Sequence, residues 1–288
     1  MKTLLICPAD REALNLLTES APLVNLPLLG QTLLEYWLTS LASSGVKQVS
    51  ILASDRPDSI SEIAGHGARW GIQVEVIREL RELTPSQAAL RYSDRMGSDS
   101  GQNSIVVLDH FPGRPEHSLF SSVTDWLNEL VAWMPSACGP DRVGVREMLP
   151  GVWVDFQAHV SKHAELRGPC WIGKRAFVGD GVVLGPRAVL EDRCFIESGV
   201  EVSDSVVGAD TFVGRYSEIR NSIAWGDTLI NCKNGSAARI PDPFLLCSLR
   251  RPVSADTQGW FARMTEAFSR NKADVQLIWK HFLINKQG

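Results

Sequence analysis

The sequence has no excess of positive charge. Its 29 lysines and arginines are outnumbered by 33 aspartates and glutamates, for a formal net charge of −4. A protein built to grip a phosphate polymer needs a basic surface, so nucleic acid is excluded as the main partner. Long apolar runs are also missing, and none approaches the ~20 residues of a membrane-spanning helix. The opening Met1-Lys2-Thr3-Leu4-Leu5-Ile6-Cys7-Pro8 falls short of the ~7–15 apolar residues in the core of a signal peptide. The expectation is a cytoplasmic protein with no membrane insertion. The six cysteines, at 7, 138, 170, 194, 232 and 247, include no Cys-x-x-Cys pair and no histidine at zinc spacing. That removes the usual zinc frameworks and leaves them as buried small hydrophobes.

What is present suffices for two domains, since 288 residues are 44% apolar and a domain runs on the order of 100–200 residues. Up to residue 150 the chain alternates strand and helix patterns. Leu4–Cys7, Val49–Ala53, the alternating Ile72, Val74 and Val76, and Ile105–Leu108 read as strands. Leu33, Leu34, Trp37, Leu38 and Leu41 form a helical stripe ended by Gly45. A second helix is expected from Asp55-Arg56-Pro57-Asp58-Ser59 to Trp70 with Gly71 as its stop, a third from Thr84-Pro85-Ser86 through Tyr92, and a fourth over Val123–Val131. This order implies a mostly parallel sheet covered by helices, with any ligand beyond the carboxyl ends of the strands.

After residue 150 the period becomes six. Val154, Val160, Leu166, Ile172, Val178, Leu184, Leu190, Ile196 and Val202 follow one another without a miss. With Ile, Leu and Val at about a quarter of residues, nine consecutive hits have a chance on the order of 10⁻⁵ or less. Four places after each lead comes a small or β-branched residue, from Ala158 and Ala164 to Val200 and Val206, and Gly173, Gly179 and Gly185 follow their leads directly. After Val202 the register slips by one to Val207, Val213 and Ile219. Such a repeat is the signature of a β-helix, with each hexad as one side of a triangular coil and the lead residues filling its interior. About four coils are expected between 154 and 230.

Ile240-Pro241-Asp242-Pro243 breaks regular structure, and from Ala255 onward Trp260, Met264, Phe268, Val275, Ile278, Trp279 and Phe282 suggest amphipathic helices. The expected organisation is therefore an α/β domain over 1–150, a hexad-repeat coil over 151–235, and a helical cap or tail over 236–288. Trp171, at the last place of its hexad, is expected to point outward. An exposed indole beside an apolar tail leads to the expectation of a homo-oligomer.

The segment Leu14-Asn15-Leu16-Leu17-Thr18-Glu19-Ser20-Ala21-Pro22, followed by Leu26-Pro27-Leu28-Leu29-Gly30-Gln31-Thr32-Leu33-Leu34-Glu35-Tyr36, and then Ser44-Gly45-Val46 before a strand, resembles the start of sugar-nucleotide pyrophosphorylases. Those proteins join a nucleotidyltransferase α/β domain to a left-handed hexapeptide β-helix. The resemblance implies that handedness, which the periodicity does not show. Ser205-Val206-Val207-Gly208, Thr211-Phe212-Val213-Gly214, Arg220-Asn221-Ser222-Ile223 and Asp242-Pro243-Phe244-Leu245-Leu246 are similar to hexapeptide-bearing nucleotidyltransferase-like proteins associated with exopolysaccharide sugar transferases.

The departures from that family all bear on chemistry. Its phosphate-wrapping Gly-rich loop reads here Pro8-Ala9-Asp10-Arg11-Glu12-Ala13-Leu14, without a glycine. Its lysine falls on Leu23, its base-contacting glycine-rich stretch on Thr84-Pro85-Ser86-Gln87-Ala88-Ala89, and one metal-binding aspartate on Phe111, with Asp109 the only carboxylate nearby. The long sugar-phosphate subdomain is reduced to the stretch between Phe111 and Val154. By this resemblance the candidate nucleotide-binding residues are Arg11, Ser86 and Gln87, and the candidate metal ligand is Asp109, with Mg²⁺ involved only if catalysis survives. The function expected is that of a catalytically impaired nucleotidyltransferase-like protein. It would bind a nucleotide or nucleotide-sugar, or assemble with other proteins of nucleotide-sugar or exopolysaccharide metabolism.

Two alternatives stand beside it. One is an active sugar-1-phosphate nucleotidyltransferase with unusual phosphate contacts, and the other is a hexapeptide-repeat acyltransferase. His159 and His163 would be the candidate bases of the latter, but they fall at outward or corner places of uninterrupted hexads and read as surface histidines. Asp227, Asn231 and Lys233 could form a polar site at the end of the coil.

Overall fold

The computed structural model describes residues 2–19, 21–93, 103–138, 142 and 144–249. Met1–Leu249 form one compact unit. The helices expected from Ala255 onward lie outside the described residues, and the part of the tail that is described contributes strands, Ala237–Arg239 and Leu246–Ser248.

The first part is an α/β region on a parallel sheet. Its strands are β1 (Lys2–Ile6), a short hairpin β2 (Pro27–Leu28) and β3 (Gln31–Thr32), β4 (Gln48–Ala53), β5 (Gln73–Arg78) and β6 (Asn103–Val107). The main sheet has the order β5-β4-β1-β6 with every pair parallel. Its helices are α1 (Leu33–Ser43), α2 (Pro57–Ala64), α3 (Pro85–Arg91) and α4 (Val123–Trp133). A capping box starts α1, where Thr32 accepts from the Glu35 N–H and Glu35 accepts from the Thr32 N–H.

One helix is shorter than the sequence pattern suggests. The helix expected to reach Trp70 stops at Ala64, and Gly65–Trp70 continue as a kinked 3₁₀ segment. Gly65, His66 and Gly67 all have left-handed φ, at 50°, 57° and 83°, which breaks the i→i−4 ladder. Gly67 is required there, because a Cβ would stand 2.3 Å from the Ile72 carbonyl oxygen.

The second part is a stack of short parallel strands in three sheets, an arrangement compatible with a β-helix. Pairing advances by one coil at a time: Ile172 lies beside Leu190, Val178 beside Ile196, and Leu184 beside Val202, each eighteen residues apart. The lead residues form one interior cluster with Cys170, Ala176, Val182, Ala188 and Cys194. Val160 and Leu166 are only half-buried, because their strands are the end strands of their sheets and no coil covers them from below. Gly173 lies under the next coil, where a Cβ would come within 2.8 Å of the Asp192 backbone nitrogen.

The register slip falls where expected but changes one assignment. Leu190 pairs with Val207 and Val189 with Val206, so the small place belongs to Ser205, and Val206 faces out of the coil. Trp171 also faces out of the coil, yet it is fully buried, which corrects the expectation of an exposed indole. Trp153, Trp171, Val189, Val206 and Ile223 form an outward column that shares one apolar cluster with α1 and α4. The α/β region covers this side of the coil, and the core runs unbroken across the junction.

Candidate functional site

The carboxyl ends of β1, β4, β5 and β6 gather a set of charged loops. This is where parallel α/β sheets bind ligands. After β1 the chain turns through Cys7–Arg11, and after β5 the next loop brings Glu82 against it. The Glu82 carboxylate accepts the Ala9 N–H at 2.9 Å and a fork of two hydrogen bonds from the Arg11 guanidinium, both 2.8 Å. Burial opposes ionisation of Glu82, but the Arg11 hydrogen bonds, the Ala9 N–H and the Arg11 charge outweigh it and hold the carboxyl below the usual range. Three donors converging on one carboxylate is the geometry with which proteins hold carboxylate or phosphate. In this chain the anion comes from its own loop.

Beside this cluster lies an open cleft of about 330 Å³ lined by Arg11, Glu12, Ala13, Asp109, Ser118, Phe120 and Ser121. The structure thus brings Arg11 and Asp109, two of the candidate residues, to one cavity. Asp109 follows β6, and its carboxylate lies 2.7 Å from Nδ1 of the adjacent His110. The His110 carbonyl accepts the Trp37 indole N–H at 2.8 Å, which fixes the loop to α1. Asp10 points elsewhere and pairs with Arg56 at 3.0 Å, which also holds Asp55 at 2.7 Å.

The other two candidates lie apart from the cleft. Ser86 and Gln87 sit exposed in the first turn of α3. Gln87 is committed to a capping box, its Oε1 accepting the Thr84 N–H while its own N–H goes to the Thr84 hydroxyl. Leu23 and Phe111, at the lysine and aspartate places of the resemblance, are fully buried. Phe111 stacks on Trp133 with ring centroids 4.5 Å apart. Phe111 thus presents no carboxylate at the place where the resemblance implies a metal-binding aspartate, and the carboxylates that line the cleft are Glu12 and Asp109. Among the described residues no group of three or more His, Cys, Asp or Glu is placed to hold a metal ion.

The remaining polar candidates belong to the coil and the strands that follow it. His159 stacks on Phe177 at 5.2 Å, and His163 is exposed beside Asp180. Asp227 accepts from Arg239 at 2.8 Å, and Asn231 caps the Lys233 N–H at 2.9 Å, both within a terminal hairpin. Glu82 was not singled out from the sequence, since it lies 71 residues from Arg11 in a loop without periodicity.

Because the Arg11–Glu82 pair is half-exposed, Arg11→Ala is expected to cost about 1 kcal/mol or less. It should also move the Glu82 carboxyl back up toward the ordinary range, which a carboxyl NMR titration would read. No family model matches the chain, and no curated protein matches it.

Proposed function

We propose that this chain is a nucleotidyltransferase-like protein that has lost its catalytic signature and serves a ligand-binding or assembly role in nucleotide-sugar or exopolysaccharide metabolism. Its coil is then a left-handed hexapeptide β-helix. The observation that carries this reading is the occupation of the β1 loop by Glu82. Nucleotidyl transfer needs backbone N–H groups and a cation free to meet the developing phosphate charge. Here the Ala9 N–H and the Arg11 guanidinium are already bonded to an internal carboxylate. A triphosphate entering the cleft would also meet the carboxylates of Glu12 and Asp109. Burial of Leu23 and Phe111 supports the same reading, because neither position can present a charge.

Losing one such electrostatic contact typically costs on the order of 10²–10³ in rate, and several lost together erase turnover. The expected result is no pyrophosphate release from any common nucleoside triphosphate with a sugar 1-phosphate and Mg²⁺. Release that requires both substrates and disappears in Asp109→Ala would restore the active nucleotidyltransferase.

A further inference from the structure

The two ends of the coil are finished differently. At its far end the chain folds back on itself. Leu246–Ser248 pairs antiparallel with Thr211–Val213, and Thr228–Asn231 pairs antiparallel with Ser222–Trp225. Leu246 is buried against the interior cluster, with Leu229 and Ile240 packed beside it. Among the described residues nothing comparable closes the first coil. That coil consists of β8 (Val152–Asp155), β9 (His159–Val160) and β10 (Glu165–Leu166). Only β8 has a strand on its open side, the antiparallel β7 (Val145–Leu149).

The open end is apolar. Val160 and Leu166 belong to the interior column but are only half-buried. On β7, Leu149 lies in register with Val152, whose side chain joins the interior cluster. Paired residues share a face, so Leu149 extends the interior beyond the first coil, and it is 51% exposed. Met148, at the bulge of β7, and Phe156, just after β8, are 49% and 67% exposed. The backbone is unfinished as well. Within the coil the carbonyl of a lead residue accepts from the coil below, Val178 from the Ser161 N–H at 3.0 Å and Leu184 from the Arg167 N–H at 2.7 Å. Val160 and Leu166 hold the same places on the first coil, where no described coil lies below. Such an edge is a template for another chain, and a solenoid needs a cap at each end.

We propose that this open end is a dimer interface, occupied by the same end of a second copy of the chain across a two-fold axis. Head-to-tail stacking is blocked, because the far end of every copy carries its own antiparallel cap. The open end is therefore matched by another open end, and a two-fold contact of identical surfaces stops at two copies. The contact removes Leu149, Met148 and Phe156 from water together, as one patch. The rim also suits a copy of itself, because it carries both signs. Arg146 is in register with Val154 and so stands on the face of β7 that extends the interior, while Glu165 lies on β10, beside Arg167 at 2.8 Å. A purely apolar partner would bury Arg146 without an acid, which is costly. The two-fold axis turns the Arg146 side of each copy toward the Glu165 side of the other. This goes beyond the role proposed above and stands on the geometry of the coil alone.

The test is light scattering coupled to gel filtration on the full chain at micromolar concentration. The wild type should run at twice the chain mass. Leu149→Asp and Phe156→Asp, both at exposed places, should melt like the wild type and weaken the dimer at least ~tenfold each. If one of them fails to fold, the other decides. Arg146→Glu should also weaken the dimer, and adding Glu165→Arg to it should restore association. A monomeric wild type overturns the proposal, as does a trimer or an open-ended assembly. A dimer that keeps its wild-type strength in a folded aspartate variant overturns it too, since another surface, or the segment 250–288, then joins the copies. Failure of the charge swap to restore association overturns the two-fold arrangement.

Discussion

Ile172→Asp is expected to abolish cooperative folding of the coil. Ile172 is fully buried in the interior column, between Val154 on the coil below and Leu190 on the coil above. Removing a buried isoleucine side chain typically costs about 2–5 kcal/mol. Placing an unpaired carboxylate in the same apolar space costs several kcal/mol more, or forces it to stay protonated. Together these rival the ~5–15 kcal/mol that holds a typical domain folded. The next coil would not rescue the site, because each coil is supported mainly by its neighbours. Ile172→Val, which keeps the shape and the apolar character, should cost only about 0.5–1.5 kcal/mol. Circular dichroism melts of the two variants read the contrast directly. A wild-type melt for Ile172→Asp would mean that Ile172 does not face the interior.

The interior of the coil was legible because a repeat imposes the same environment every six residues, and only apolar residues survive there. The slip after Val202 could be read for the same reason. What stayed hidden was the meaning of the outward places. Trp153, Trp171, Val189, Val206 and Ile223 recur once per coil, and a column of large apolar residues on one outer side already says that this side is covered. Taken one at a time, Trp171 looked like an exposed surface residue, and Val206 like a small residue of the preceding hexad. In the α/β region, strands and helices followed from periodicity, while the end of α2 was missed because the glycines at 65 and 67 lie inside an otherwise continuous helical pattern. The candidate site was legible in part. Arg11 and Asp109 are singled out by the family resemblance, and parallel pairing of β1 with β6 brings them to one cleft. Glu82 is not, because it acts through a contact between segments far apart in sequence.

Trp171→Ala is expected to weaken the junction by about 3–5 kcal/mol, the usual cost of truncating a fully buried tryptophan. The indole lies between the coil and the α/β region, in van der Waals register with Trp153 and Val189 on neighbouring coils and beneath the Arg142 guanidinium. Its Nε1 makes no hydrogen bond, so the loss is one of packing and of the cation–π contact. The substitution also leaves Arg142 above an empty space rather than an aromatic face. The coil interior should persist, because Trp171 faces away from it while Cys170 and Ile172 face inward. The α/β region should then unfold at lower denaturant than the coil. The expected signature is a single urea transition in the wild type that becomes two in Trp171→Ala, the earlier one carrying the loss of helical signal in circular dichroism and the later one the loss of the β-signal. Trp171→Phe, which keeps an aromatic face for Arg142, should lose less and retain the single transition. A Trp171→Ala protein that melts as one unit at the wild-type midpoint would show that the shared apolar cluster contributes nothing to holding the two parts together.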